Sequence, residues 1–278
     1  VNPISNDEAW VVNEVSDSVS VVSVSRRVVT DTIYVKDEPV DIAFANGRAF
    51  VTASRNNRIA VIDIASHVVI TNIPVFGENP RAIVANADGS KVYAAFALSG
   101  NRTTLVSFTN APPQLTNSTP PIKPGLPAPP RVSLIVDATD PAWTSGPNAS
   151  VRFTMPDNDV VEIDTATLAI TRYFPRVGTV NLGLAFKPGT SELFVAGTDA
   201  RNLTHFEPAV RSAFVTNQVS SIDTVNGAVT RFDLDAGFNY STFPSLRDRT
   251  NALAQPTALT FSPGGQSLFI AGFGSDRI

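Results

Sequence analysis

The 278-residue sequence has no cysteine, only two histidines and a single methionine. Without thiols there is no disulfide framework, no thiolate metal site and no covalently attached c-type haem within this segment. No cofactor is therefore expected in it. No apolar run approaches the roughly 18 residues that a membrane-spanning helix needs. Lys and Arg never form a block of five or more, and the net charge is a mild −4. Neither a membrane span nor a nucleic-acid footprint is expected. The patterns H-x-x-x-H, G-x-S-x-G, G-x-G-x-x-G and Walker A are all missing. Sustained 3.6-residue periodicity is missing too, so helix should be nearly absent. The chain opens on Val1 with no signal peptide, as expected of a start that was cleaved or cut away.

What is present is Val, Thr and Ser in abundance, residues that favour strands, and an internal repeat. The stretch EAWVVNEVSDSVSVVSV (8–24) aligns with RAFVTASRNNRIAVIDI (48–64) at a constant offset of 40 residues. Further copies open with KVYAAF (91–96), ELFVAG (192–197) and SLFIAG (267–272). From the second copy on, a turn signal precedes each aromatic: Asn46-Gly47, Asp88-Gly89, Pro188–Thr190 and Pro263–Gly265. Asn-Gly and Asp-Gly between apolar runs mark hairpins, because their turns need positive φ. Upstream echoes (PVDIAF, PRAIVA, NLGLAF, PTALTF) and downstream echoes (VIDIAS, EIDTAT, SIDTVN) complete a unit of four short strands, a to d. Four-stranded antiparallel units with a period of about 40–45 residues predict a β-propeller. The competing all-β reading is a β-sandwich with coincidental spacing.

The tetrapeptides WVVN, FVTA, YAAF, FVAG and FIAG, the Ile-Asp pairs at 62–63, 163–164 and 222–223, and Gly77–Pro80 resemble the YVTN-type β-propeller repeat of secreted and surface-layer proteins. That resemblance implies an extracytoplasmic location and a ring of roughly seven blades. It is poor for function, since the repeat hosts scaffolds, lactonases and electron-transfer subunits, some fused to c-type cytochrome domains.

The repeat boundaries place blade units at about 5–46, 47–88, 89–190, 191–265 and a partial 266–278. Successive aromatics at 10, 50, 93, 194 and 269 are spaced by 40, 43, 101 and 75 residues, so insertions are expected at about 97–158, 198–218 and 235–255. In antiparallel a-b-c-d units the b–c and d–a connections share one end. All three insertions should therefore leave one face, where loops can carry function on a rigid scaffold. The proline-dense segment Ala111–Pro130 favours polyproline II and suits a strap along neighbouring blades.

Candidate site residues lie in these insertions. Trp143 is an anchor for the strap or a binding platform, and Asp140, Arg201, His205 and Arg247 offer polar contacts on the same face. Asp157 and Asp159 could supply oxygens to a hard cation, with structural turn carboxylates as the competing role. Five N-x-S/T sequons, at Asn101, Asn117, Asn148, Asn202 and Asn239, all fall within the insertions and would take glycans in a glycosylating host. No catalytic residue is assigned. The expected function is an extracytoplasmic binding or scaffold module that takes a protein partner or glycan on the insertion face. The alternatives are the propeller of a larger periplasmic redox protein and a lactonase-like hydrolase. SLFIAGFGSDRI (267–278) aligns without a gap on RAFVTASRNNRI (48–59), and VNPIS supplies only the tail of a strand a. The remainder of a ring is expected from more of the same chain or from a protein partner.

Overall fold

The computed structural model describes residues 5–107, 109–110, 125, 133–145, 149–204, 213–239 and 246–278, with backbone alone at 246 and 247. Its first sheet holds β1 (Glu8–Asn13), β2 (Ser18–Ser23) and β3 (Val28–Tyr34). The second is a full antiparallel unit of β4 (Pro39–Ala45), β5 (Arg48–Ala53), β6 (Arg58–Asp63) and β7 (Val68–Pro74). The third begins with β8 (Glu78–Ala85) and β9 (Lys91–Leu98). An excursion follows, carrying the hairpin β10 (Thr103–Val106) and β11 (Leu134–Asp137) and the one-turn helix α1 (Pro141–Thr144). The sheet then resumes with β12 (Val160–Asp164) and β13 (Ile170–Phe174). The fourth sheet is β14 (Val180–Phe186), β15 (Glu192–Ala200), β16 (Val215–Asp223) and β17 (Val229–Asp233). After helix α2 (Leu246–Asn251), β18 (Pro256–Phe261) and β19 (Leu268–Gly272) form a fifth, two-stranded sheet.

Turn chemistry explains the repeat. Asn46 and Gly47, at φ 48° and 70°, close the two-residue turn between β4 and β5. Such mirror-image turns match the twist of the strands they join. The recurrent Ile-Asp pair ends the third strand of a sheet because its carboxylate builds the next turn. Asp63 Oδ1 accepts from Ser66 N at 2.8 Å, Asp164 Oδ1 from Thr167 N at 2.9 Å, and Asp223 Oδ1 from Val225 N at 2.9 Å. Each turn then passes through a left-handed residue: His67, Leu168 or Gly227.

The sheets stack face to face as a fan. First strands of successive units touch, β4 with β8, β8 with β14 and β14 with β18, which sets the narrow edge of the fan, and β1, the second strand of its unit, lies against β4. Middle strands are covered on both faces, so β5 and β6 read as continuous apolar runs, whereas outer β7 alternates. One apolar layer, with Trp10, Val19 and Ile62, lies between the first two sheets. A second, with Phe50, Phe96 and Val161, joins sheets two and three, and a third, with Tyr93, Phe174 and Leu193, joins three and four. The aromatic of each second strand meets the last residue of the motif in the next first strand. Trp10–Phe44, Tyr93–Phe186 and Phe194–Phe261 are edge-on pairs with centroids 5.5, 5.3 and 5.1 Å apart. The chain is thus all-β and propeller-like; the stacked fan is not a two-sheet sandwich.

The unit limits and one insertion's bounds differ from the sequence reading. The sheets begin at Pro39, Glu78, Val180 and Pro256, so unit limits at 47, 89, 191 and 266 fall inside hairpins. A period does not say where its unit starts; strand pairing does. The ladder between β15 and β16 extends to Ala200↔Val215, which shortens the second insertion to residues 201–214. The third contains α2, and α1 lies in the first. The strap segment 111–130, apart from Gly125, and residues 1–4 lie outside the described residues.

Candidate functional site

The b–c and d–a connections emerge at one end of the fan, and there two insertions meet. A cavity of about 400 Å³ is lined from the first insertion by Asn101, Arg102, Thr103, Asp137, Thr139 and Asp157, from the end of β15 by Asp199 and Ala200, and from the second insertion by Arg201 to Thr204. Arg176, in the turn after β13, and Arg231, on β17, complete the wall. The third insertion reaches the same end, where Gln255 N donates to Asn217 Oδ1 at 3.0 Å.

The turn that carries Arg176 is held on every side. Its N–H groups donate to two buried carboxylates: Arg176 N to Asp157 Oδ2 (3.2 Å), and Val177 N and Gly178 N to Asp159 Oδ2 (2.5 and 3.3 Å). Its carbonyls are equally occupied. Arg231 Nε donates to Arg176 O (2.7 Å), Gln218 Nε2 and Ser220 Oγ to Val177 O (2.6 and 2.8 Å), and Asn181 Nδ2 to Gly178 O (2.9 Å). A Cβ on Gly178 would lie 2.9 Å from Asn181 Oδ1 and 3.1 Å from both Gln218 Nε2 and Thr198 O, so any side chain there would press on the groups that hold the turn.

Asp159 is fully buried, and among the described residues its Oδ1 has no hydrogen-bond donor. Burial, then the neighbouring Asp157 charge, push its carboxyl up to about 7, so the pair holds a proton in mildly acidic solution. Arg102 Nε stands 3.6 Å from Asp157 Oδ2. The two aspartates therefore anchor a turn, the structural role weighed against cation binding. Among the described residues no group of three or more His, Cys, Asp or Glu side chains is placed to hold a metal ion. Glu162, close in sequence, belongs instead to the sheet interface: it pairs with Arg172 at 3.1 Å and accepts from the Tyr93 hydroxyl at 2.8 Å.

The remaining carboxylates of the cavity are also engaged. Asp199 accepts from Asn101 Nδ2 (2.5 Å) and pairs with Arg231 (2.9 Å). Asp137 accepts from Thr139 N and Oγ1; the Thr139 hydroxyl, its amide, and then Arg102 and Arg176 hold its carboxyl below the usual range.

Other expected contacts land elsewhere. Trp143 is 6% exposed in a small core of the first insertion with Val106, Leu134, Val136 and Val151, so it is an anchor and not a binding platform. Asp140 caps α1 by accepting from Ala142 N at 2.9 Å, a local structural role. Arg201 does line the cavity and donates to Ala213 O at 3.2 Å. His205, Asn117, Asn148 and the Arg247 side chain lie outside the described residues. Of the other sequons, Asn239 is exposed and Asn202 lines the cavity. Asn101 is half-buried at the cavity wall, and its Nδ2 donates to Asp199. Sequence reasoning missed Arg102, Arg176, Asp199 and Arg231. The one local signal for Arg176 was its place in a d–a turn on the inserted face.

No family model and no curated protein matches the sequence. Among solved structures, the fold is similar to hydrazine synthase of Kuenenia stuttgartiensis at 19% identity and a TM-score of 0.49, over 96% of this chain and 71% of that one.

Proposed function

We propose that this chain is an extracytoplasmic binding module of the YVTN-repeat type, and that its ligand site is the cavity on the insertion face. One observation carries the reading: insertions from two different sheets converge on a single polar cavity of about 400 Å³ around a turn whose backbone is fully hydrogen-bonded. Rigid surroundings with a few directed polar groups are what ligand sites share. The test is glycan-array and peptide-display screening of wild type beside Thr204→Trp, which fills the cavity. Ligands captured by wild type and lost in the variant support the assignment; ligands captured equally by both overturn it.

A closed ring of about seven blades is part of the same proposal. Phe269 is 51% exposed, whereas of its repeat equivalents Trp10, Phe50 and Tyr93 are 7%, 0% and 3% exposed and Phe194 is half-buried, each under the next sheet. A further blade packed on this face would cover it and pair the open edge of β19. Native mass spectrometry of the protein from its source should then show a species heavier than 29.5 kDa. A lone 29.5 kDa monomer would contradict closure.

A further inference from the structure

We infer that the cavity takes a hydroxyl-rich ligand bearing a single carboxylate, a hexuronate-type saccharide, and that Arg176 is the residue that grips the carboxylate. This rests on the cavity being the ligand site, as proposed above. The cavity presents one set of unmet donors. Asp199 and Asp137 already accept from two donor groups each, and Asp157 accepts from Arg176 N beside Arg102. Arg231 is spent on Asp199 and on Arg176 O, and Arg201 on Ala213 O. The Arg176 guanidinium, by contrast, has no hydrogen-bond or ion-pair partner among the described residues. It is exposed at the cavity wall on a backbone fixed at N–H and C=O alike.

A guanidinium offers a fork of donors that matches a carboxylate bidentately. Because its turn is fixed beforehand, little ordering is required of the protein when the ligand arrives. Charge narrows the class further. Among the described lining residues four arginines face three aspartates, a balance of one positive charge, which suits a monoanion better than a phosphate dianion. Among the described residues the lining holds no aromatic ring on which a nucleobase or a neutral sugar could stack. Thr103, Thr139, Asn202 and Thr204 do line it, and hydroxyl and amide groups of this kind serve sugar hydroxyls.

Calorimetric titration with methyl β-glucuronide, methyl β-glucoside and inorganic phosphate tests the inference, with NMR amide shifts reporting location. The expected result is glucuronide binding at least tenfold tighter than glucoside or phosphate, with shifts at residues 101–103, 176–178 and 199–204. Arg176→Ala should weaken it at least tenfold, Arg176→Lys should restore part of it, and Arg26→Ala, on the opposite face, should leave it unchanged. Truncating an exposed side chain leaves the turn's backbone bonds in place, so the variant remains folded. Equal binding of glucoside and glucuronide at the cavity, or tighter binding of phosphate, would overturn the uronate assignment and leave the site standing. Shifts confined to other residues, or no binding of any probe, would overturn both.

Discussion

Replacing Asp159 by asparagine keeps its shape and leaves a carbonyl oxygen to accept from Val177 N and Gly178 N, while its amide donates to Asp157. What disappears is the titration. In the wild type the carboxyl binds its proton more tightly when folded, with its ordinary value of 3.8 pushed up to about 7 by burial and by Asp157. Stability from this group is therefore present in full below about pH 4, declines as the pH rises, and is gone above about 7. The displacement corresponds to an upper bound of about 4 kcal/mol. Urea unfolding of both proteins from pH 4 to pH 8.5 measures it, because other groups cancel in the difference. The advantage of wild type over Asp159→Asn should fall between pH 4 and about 7 and then level off, with the variant the more stable above that. Asp159→Ala should instead be destabilised at every pH, by about 1–3 kcal/mol for each buried N–H left without an acceptor. A difference between wild type and Asp159→Asn that does not change with pH would refute the shared proton.

Three further outcomes follow from the packing. Phe50→Ala, which empties a fully buried site between the second and third sheets, should cost about 3–5 kcal/mol in denaturant unfolding. Trp143→Ala should loosen only the first insertion, since its partners Val106, Leu134, Val136 and Val151 all lie there. Limited proteolysis should then cut within 99–158 while the far-UV circular dichroism keeps its strand signature. In a glycosylating host, peptide mass spectrometry should find Asn239 occupied and Asn101 bare, because the Asn101 side chain is committed to Asp199.

The repeat was legible because its parts are local. Asn46-Gly47 can close only a tight turn, the Asp of each Ile-Asp pair builds the next turn within a few residues, and the aromatics mark the strand between them. The end of a strand is less local. Thr198 and Asp199 are polar and lie past the apolar core, so they resemble loop until Asn217 and Thr216 are seen to pair with them. The site is the least local of all. Arg176, in the turn after β13, and Arg231, on β17, stand 55 residues apart, and only the stacking of the third and fourth sheets brings them together. Asp159 had the look of a surface turn carboxylate because nothing in MPDNDVVEID shows that a distant turn folds down over it. Trp143 and Asp140 had the types that binding sites favour, but each is used up locally, one as core and one as cap. Chemistry-bearing residues in an insertion therefore signal a site only once the insertion's own structural needs are met.

The central claim is that the cavity is built around a turn fixed in advance. Amide hydrogen exchange at Arg176, Val177 and Gly178 in the ligand-free protein tests it most directly. These three N–H groups lie in a connection at the end of the fan, where exchange is ordinarily fast. The account predicts protection comparable to that of the middle strands β9 and β15, because buried carboxylates hold all three. Exchange at unfolded-chain rates would contradict it.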